Sequence, residues 1–218
     1  MDQAQVLVFD MDGVLVDVTD SYRETIVRTV EHFTGQTISR EIIQDYKNQG
    51  GWNNDWALSE KICHDLGVDI PYSNIVDYFN RLFLGQGLIH RERWLPQNGL
   101  LDRLGQKFEL AIFTGRTTEE AEITLNREGL RERFLLVSAN DVEREKPAPD
   151  GLLKIAGMRP SKRLLYVGDT VDDARCARAA KVPFVGIAAE QSPRRGELLE
   201  LFRIEGAIQV LKDINEIG

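Results

Sequence analysis

The chain has 218 residues, 42% hydrophobic and 28% charged, an ordinary globular composition with room for one large domain or a core with a smaller insert. A formal net charge of −8 without any basic block argues against nucleic acid as a partner, and no apolar run approaches the about 20 residues that span a bilayer. Two cysteines, Cys63 and Cys176, are too few for a disulfide framework and have no Cys or His at metal-ligand spacing, so they read as thiols in a reducing cytoplasm.

Val6 to Phe9 is an unbroken apolar run, the pattern of a short strand buried inside a parallel sheet. It stops at Asp10-Met11-Asp12-Gly13. Two carboxylates at the mouth of a buried strand suit a ligand crevice beyond the strand ends, because burying unpaired charge is costly. The segment is too short and too acid-flanked for a secretion signal. Asp17 to Asp20 is turn-like. Tyr22, Ile26, Val30 and Phe33 fall at helical spacing, and Gly35 stops that helix. Ser39 caps a second helix through Tyr46, a third runs to Leu66 before Gly67, and Ile75, Val76, Phe79, Leu82 and Phe83 mark a fourth. A connector follows from Gly85 to Pro96, so residues 17–95 read as all-helical with no buried strand.

From Asn98 the pattern alternates. Helices are expected over Asn98 to Leu104, Thr118 to Glu128, Pro149 to Ala156, Val171 to Ala180 and Arg194 to Phe202. Between them lie strands over Phe108 to Phe113, Leu135 to Val137, Leu164 to Val167, Pro183 to Ile187 and, marginally, Ile208 to Val210. The expected fold is α/β: a Rossmann-like, doubly wound parallel sheet built from residues 1–16 and 96–218, with residues 17–95 inserted as a helical cap domain near the Asp10 mouth.

Parallel strands share one edge for their C-terminal ends. Asp10 and Asp12, Thr114, Lys146, and Asp169 with Asp172 and Asp173 would then meet in one crevice. Carboxylates at close range repel unless protonated or bridged by a cation. Oxygen ligands of this type suit Mg²⁺, with Asp10 and Asp169 as direct ligands and a backbone carbonyl near Asp12 as a third. The cation and Lys146 would let an acidic site hold a dianionic phosphate. Thr114 and the N–H groups of Gly115 and Arg116 would add neutral donors.

Asp10-Met11-Asp12-Gly13-Val14, Thr114-Gly115-Arg116, Lys146-Pro147-Ala148-Pro149 and Gly168-Asp169-Thr170-Val171-Asp172-Asp173 resemble, in order, the four motifs of the haloacid dehalogenase superfamily. The match is phosphoglycolate phosphatase-like, with a helical C1-type cap after the first motif. It implies a Mg²⁺-dependent phosphatase acting on a small phosphomonoester metabolite through an aspartyl-phosphate. By this resemblance Asp10 is the nucleophile, and Asp12 is the acid for the leaving oxygen and then the base for water. Thr114 bonds the phosphoryl oxygens, Lys146 neutralises charge, and Asp10, Asp12, Asp169 and Asp173 form the metal set. Dehalogenase members lack an aspartate corresponding to Asp12. Phosphomutases of the β-phosphoglucomutase type use the same core residues, and a non-catalytic ligand-binding member is the alternative outside enzymes.

Two positions depart from the pattern. Gly115 stands where many relatives carry Asn, and Arg116 after it either contacts the substrate or its phosphate, or pairs with a surface acid. Asp172 replaces a frequent Asn and is given no ligand role. In the cap, Arg23 and the loop from Lys47 to Trp56, with Lys47 and Asn53, are candidate substrate contacts. The opposing reading makes Arg23 a surface residue, Lys47 a solvated charge, Trp52 and Trp56 cap core, and Gly50-Gly51 a tight turn. Thr170 reads as a helix cap. His32, His64 and His90 have no partner spacing. The expected setting is cytoplasmic, as a monomer or homodimer, with no nucleic acid or membrane partner.

Overall fold

Strand β1 (Val6–Phe9) is buried along its whole length, as its four apolar residues require. The computed structural model describes residues 5–218. After β1 a tight loop folds back on itself, with the Gly13 N–H donating to the Val16 carbonyl at 2.8 Å, and leads into β2 (Val16–Asp17). Four helices follow: α1 (Tyr22–Thr34), α2 (Arg40–Gln49), α3 (Asp55–Asp65) and α4 (Tyr72–Asn80). The chain returns through β3 (Arg93–Trp94), which pairs antiparallel with β2. Then come α5 (Leu100–Gly105), β4 (Glu109–Phe113), α6 (Thr118–Arg127), β5 (Leu135–Val137) and α7 (Asp150–Met158). The chain closes with β6 (Leu164–Gly168), α8 (Val171–Ala180), β7 (Phe184–Ile187), α9 (Arg195–Glu205) and β8 (Gln209–Leu211).

The expected α/β architecture is what forms. Six strands make one parallel sheet in the order β5-β4-β1-β6-β7-β8. Side chains alternate across a strand, so β1 sends Leu7 and Phe9 to one core and Val6 and Val8 to the other. Ile112 and Val167 join the first face, Phe113 and Tyr166 the second. The second core is closed by Leu152 of α7, Ala177 of α8 and Phe202 of α9. The first continues without a break into Tyr22, Ile26, Leu58, Phe79 and Phe83 of the four-helix segment. Burying each such Leu, Ile or Phe side chain is worth about 1.5–3 kcal/mol, which fastens the helices to the sheet that carries the crevice.

Local differences from the sequence reading have simple causes. Residues 17–95 read as all-helical, yet the β2–β3 ribbon sits where the chain crosses between sheet and helices; two residues are too few to show an alternating pattern. Helix α2 runs past Tyr46 to Gln49 and ends where Gly50 takes φ +82°. The fourth helix passes into a widened turn over Arg81–Gly85, which carries Leu82 and Phe83. Among the described residues no helix is long and apolar enough to cross a membrane.

Candidate active site

In the parallel ladder Phe9 is level with Ile112 and Val167. Asp10, Thr114 and Asp169 therefore emerge at adjacent strand ends. Asp10 is buried, and its Oδ1 lies 2.8 Å from Lys146 Nζ. The same Nζ lies 2.8 Å from Asp173 Oδ1 and sits over the rings of Phe113 and Tyr166. Asp173 is the third residue of α8, and Thr170 closes a capping box with it as the sequence suggests: the Thr170 N–H and hydroxyl donate to Oδ2 at 3.0 and 2.6 Å. The Tyr166 hydroxyl donates to Asp173 Oδ1 at 2.6 Å. Burial raises the Asp173 carboxyl, but Lys146, Thr170 and Tyr166 outweigh it and hold the group ionised below its usual range. For Lys146 burial disfavours the charge, and the two aspartates more than reverse that.

Asp10 and Asp169 titrate the other way. Burial, with the nearby charges of Asp173 and Asp12, pushes Asp10 up to about 7 against the pull of Lys146. Burial and then repulsion from Asp10 and Asp173 push Asp169 well above the carboxylate range. Its Oδ1 is buried without a hydrogen-bond partner. Oxygens of Asp10, Asp169 and Asp173 lie within 4.8 Å of one another. A hard cation fits this set: it would relieve the repulsion and use the idle Asp169 oxygen. Asp173 spends both oxygens on Lys146, Tyr166 and Thr170, whereas Asp10 sets one oxygen against Lys146 and Asp169 keeps one idle. Gly13 explains how Asp169 comes so close: it has φ +71°, and a Cβ there would collide with that carboxylate.

The Asp12 carboxylate is turned toward Arg116 rather than into the cluster of Asp10, Asp169 and Asp173. Its Oδ1 accepts from Arg116 Nε at 2.8 Å and Nη2 at 2.5 Å. Arg116 itself is fully inside, and its acids are Asp12 and buried Glu92 at 2.7 Å, so the alternative of a surface acid is corrected. Thr114 is buried; its N–H donates to the Val137 carbonyl at 3.1 Å and its hydroxyl accepts the Arg116 backbone N–H at 3.2 Å.

A partly enclosed cavity opens over Asp10, Asp12 and Asp169. From the helical side Arg23, Lys47, Asn53 and Trp56 line it, as do Tyr22, Asp55 and Phe79. Lys47 is buried and ion-paired to Asp55 at 2.6 Å rather than solvated. Arg23 has a buried Nη1 and Asn53 a buried Nδ2 with no acceptor, two donors left over beside the acids. Asn53 lies so close to Gly115 that a Cβ there would meet its amide, so this side chain and the glycine fit one another. Trp52 faces elsewhere, edge-on to Tyr46. His32 stacks on Tyr78, and His64 meets Asp69, both away from the crevice. Glu92, Thr124 and Tyr166 escaped the sequence reading. Only Tyr166, a hydroxyl inside an apolar strand, carried any signal.

Fold and site together define an α/β protein with a carboxylate–lysine crevice at the C-terminal edge of its central strands, fit for a cation and an anion together. The profile of the family described as haloacid dehalogenase-like hydrolase matches residues 7–187. An imidazoleglycerol-phosphate dehydratase of Phytophthora nicotianae is 31% identical over 202 residues, 86% of this chain but 44% of that protein, so the chain spans less than half of that relative's length. A phosphoglycolate phosphatase of Shigella sonnei is 32% identical over 227 residues, covering 94% of this chain and 89% of the relative. Among solved structures, a conserved haloacid dehalogenase-like protein from Agrobacterium tumefaciens matches with a TM-score of 0.77 at 20% identity, covering 98% and 96% of the two chains, a likeness of fold. The chain belongs to the haloacid dehalogenase-like hydrolases.

Proposed function

We propose that this hydrolase is a Mg²⁺-dependent phosphatase of a small phosphomonoester, working through an aspartyl-phosphate on Asp10. The observation that carries the reading is the pair Asp10 and Asp169 on the cavity wall, with Lys146 buried behind Asp10 and Asp12 two residues beyond the nucleophile. The phosphatase activity named for the Shigella sonnei relative supports it, and phosphoglycolate is the first substrate to try.

Asp10 and Asp169 would hold the Mg²⁺, with a backbone carbonyl near Asp12 as a third ligand; the ion supplies charge neutralisation for the acids and the phosphate. Lys146 keeps the second positive charge fixed against Asp10, where the approaching phosphate would otherwise be repelled. An Asp10 oxygen attacks phosphorus, the ester P–O bond breaks, and Asp12 gives its proton to the departing alcohol oxygen. Asp12, now a carboxylate, takes a proton from a water that attacks the same phosphorus. The Asp10–phosphorus bond breaks and inorganic phosphate leaves. The Thr114 hydroxyl and the Gly115 N–H are the neutral donors for the phosphoryl oxygens, and Arg23 and Asn53 bring the unspent donors from above. Residues 17–95 act as the cap that excludes bulk water and selects the leaving group.

A phosphate-release screen over a metabolite panel, with Asp10→Asn as the blank, tests the reading. Mg²⁺-dependent release abolished by that substitution is expected. Interconversion of sugar phosphates faster than any release would make the protein a mutase instead, and silence across the panel would leave a binding protein.

A further inference from the structure

Arg116 does not face the cavity as a free cation. Its Nε and Nη2 both donate to Asp12 Oδ1, its Nη1 donates to Thr124 Oγ1 at 2.9 Å, and Nη2 is ion-paired with Glu92 Oε1 at 2.7 Å. An arginine has five N–H donors in a rigid fork, and most of these are committed before any ligand arrives. The guanidinium plane lies 4.9 Å over the Tyr22 ring. Glu92 has no exposed side-chain surface, and its other oxygen accepts from Thr124 Oγ1 at 2.7 Å and from Arg127 Nη2 at 3.3 Å. Arg127 Nη1 also donates to the Ile89 carbonyl at 3.1 Å.

The position of these residues in the chain gives the network its meaning. Glu92 precedes β3, on the returning crossing between helices and sheet, and Tyr22 opens α1 just after the outgoing one. Thr124 and Arg127 belong to α6, on the sheet side. A buried ion pair of this quality would be replaceable by apolar packing if stability were its whole purpose. Here it ends on the carboxylate that borders the cavity beside Asp10. Both bonds land on Asp12 Oδ1, which leaves Oδ2 without a bond to Arg116.

We propose that Arg116 is a positioning residue: it ties the Asp12 carboxylate to Glu92 at the crossing, so that the seat of the helical segment on the sheet sets the aim of Asp12 Oδ2 at the ester oxygen. This rests on the reading of Asp12 as proton donor to the leaving group. A phosphate clamp would act on all esters alike. A group that aims the proton donor acts only on esters whose leaving oxygen needs the proton.

The test measures enzyme-excess first turnovers on p-nitrophenyl phosphate, whose phenolate departs unprotonated, and on phosphoglycolate, whose alkoxide does not. Asp12→Asn first checks the underlying reading: if it fails to slow phosphoglycolate more than the aryl ester, the role given to Asp12 fails, whatever Arg116 does. Arg116→Met is then expected to slow phosphoglycolate about a hundredfold, and the aryl ester less than about fivefold, with KM for either shifted no more than about threefold. Because that change leaves buried Glu92 with only Arg127, at 3.3 Å, as a cation, the double variant Arg116→Met/Glu92→Gln is measured beside it and stands in where the single one does not fold. Glu92→Gln alone keeps the Arg116–Asp12 bonds and removes their anchor at the crossing; it should lower the ratio of alkyl to aryl rates about fivefold. Equal losses on both esters, or a rise in KM with turnover intact, overturn the proposal in favour of a structural or phosphate-binding arginine. An unchanged ratio in Glu92→Gln overturns the link to the crossing.

Discussion

Gly51 donates its backbone N–H to both carboxylate oxygens of Asp172, at 2.8 and 2.9 Å, and so ties the end of α2 to the first turn of α8, beside the acid cluster. Arg175 Nη1 adds a bond to the Gln49 carbonyl at 3.0 Å, and Arg194 Nε one to Asp45 Oδ1 at 2.7 Å. The negative charge of Asp172, given no ligand role from the sequence, serves this contact. Burial raises the Asp172 carboxyl and offsets part of this gain, so Asp172→Ala should cost about 1 kcal/mol, seen as a drop in melting temperature of a few degrees. Calorimetry without added metal checks it; a melting temperature within a degree of the parent would mean the contact is idle.

Cation binding at the acid cluster should appear as stabilisation. With Mg²⁺ at about a hundred times its dissociation constant, the gain is about 2.7 kcal/mol. Asp169→Asn should erase the response. It should not lower the melting temperature in metal-free buffer, because the amide removes a repelled, buried carboxyl. A variant that still responds to Mg²⁺ like the parent would place the cation elsewhere.

Lys47→Ala should alter substrate preference more than turnover of a generic aryl ester, because the residue lines the cavity from helix α2 and not from the strand ends that carry the acids. Asp55 then loses its ion-pair partner at 2.6 Å. Kinetic constants for a panel of alkyl esters, set against p-nitrophenyl phosphate, decide the matter; parallel losses on every ester would deny it a part in selection.

Glu109, at the opposite end of β4 from the site, provides a pH-dependent control. Its Oε1 pairs with Arg159 and its Oε2 with Lys162, both at 2.6 Å, and these partners, Arg159 foremost, hold the carboxyl down to about 2. A lowered folded-state value contributes stability above the unfolded value of 4.5 and loses it as pH falls from there toward 2. Solvent screens the partly exposed pair, so Glu109→Gln should cost about 1 kcal/mol at pH 7. Urea unfolding of both proteins should show that gap closing by about pH 2. A gap independent of pH would assign the loss to packing.

Much of the catalytic edge was legible because it is local. Four apolar residues before Asp10, four before Thr114 and four before Gly168-Asp169 each announce a buried strand, and parallel strands must end side by side. Arg116 shows where such reasoning stops. Its motif was visible, but its partners Glu92 and Thr124 lie in a connector and on a helix face, as polar residues like any others. Lys47 stayed open between a substrate contact and a solvated charge for the same reason, since its burial comes with the ion pair to Asp55.

From periodicity, turn residues and motif order alone came the alternation of strands and helices, the inserted helical segment and the identity of the acids, because each follows from neighbours within a few positions along the chain. Only the folded molecule decided that Asp12 answers to Arg116, that Asp173 holds Lys146, and that Asp169 keeps an idle oxygen. Those are pairings among charges far apart in sequence, and a charge acquires its strength and its direction only where burial removes the water that would otherwise screen it.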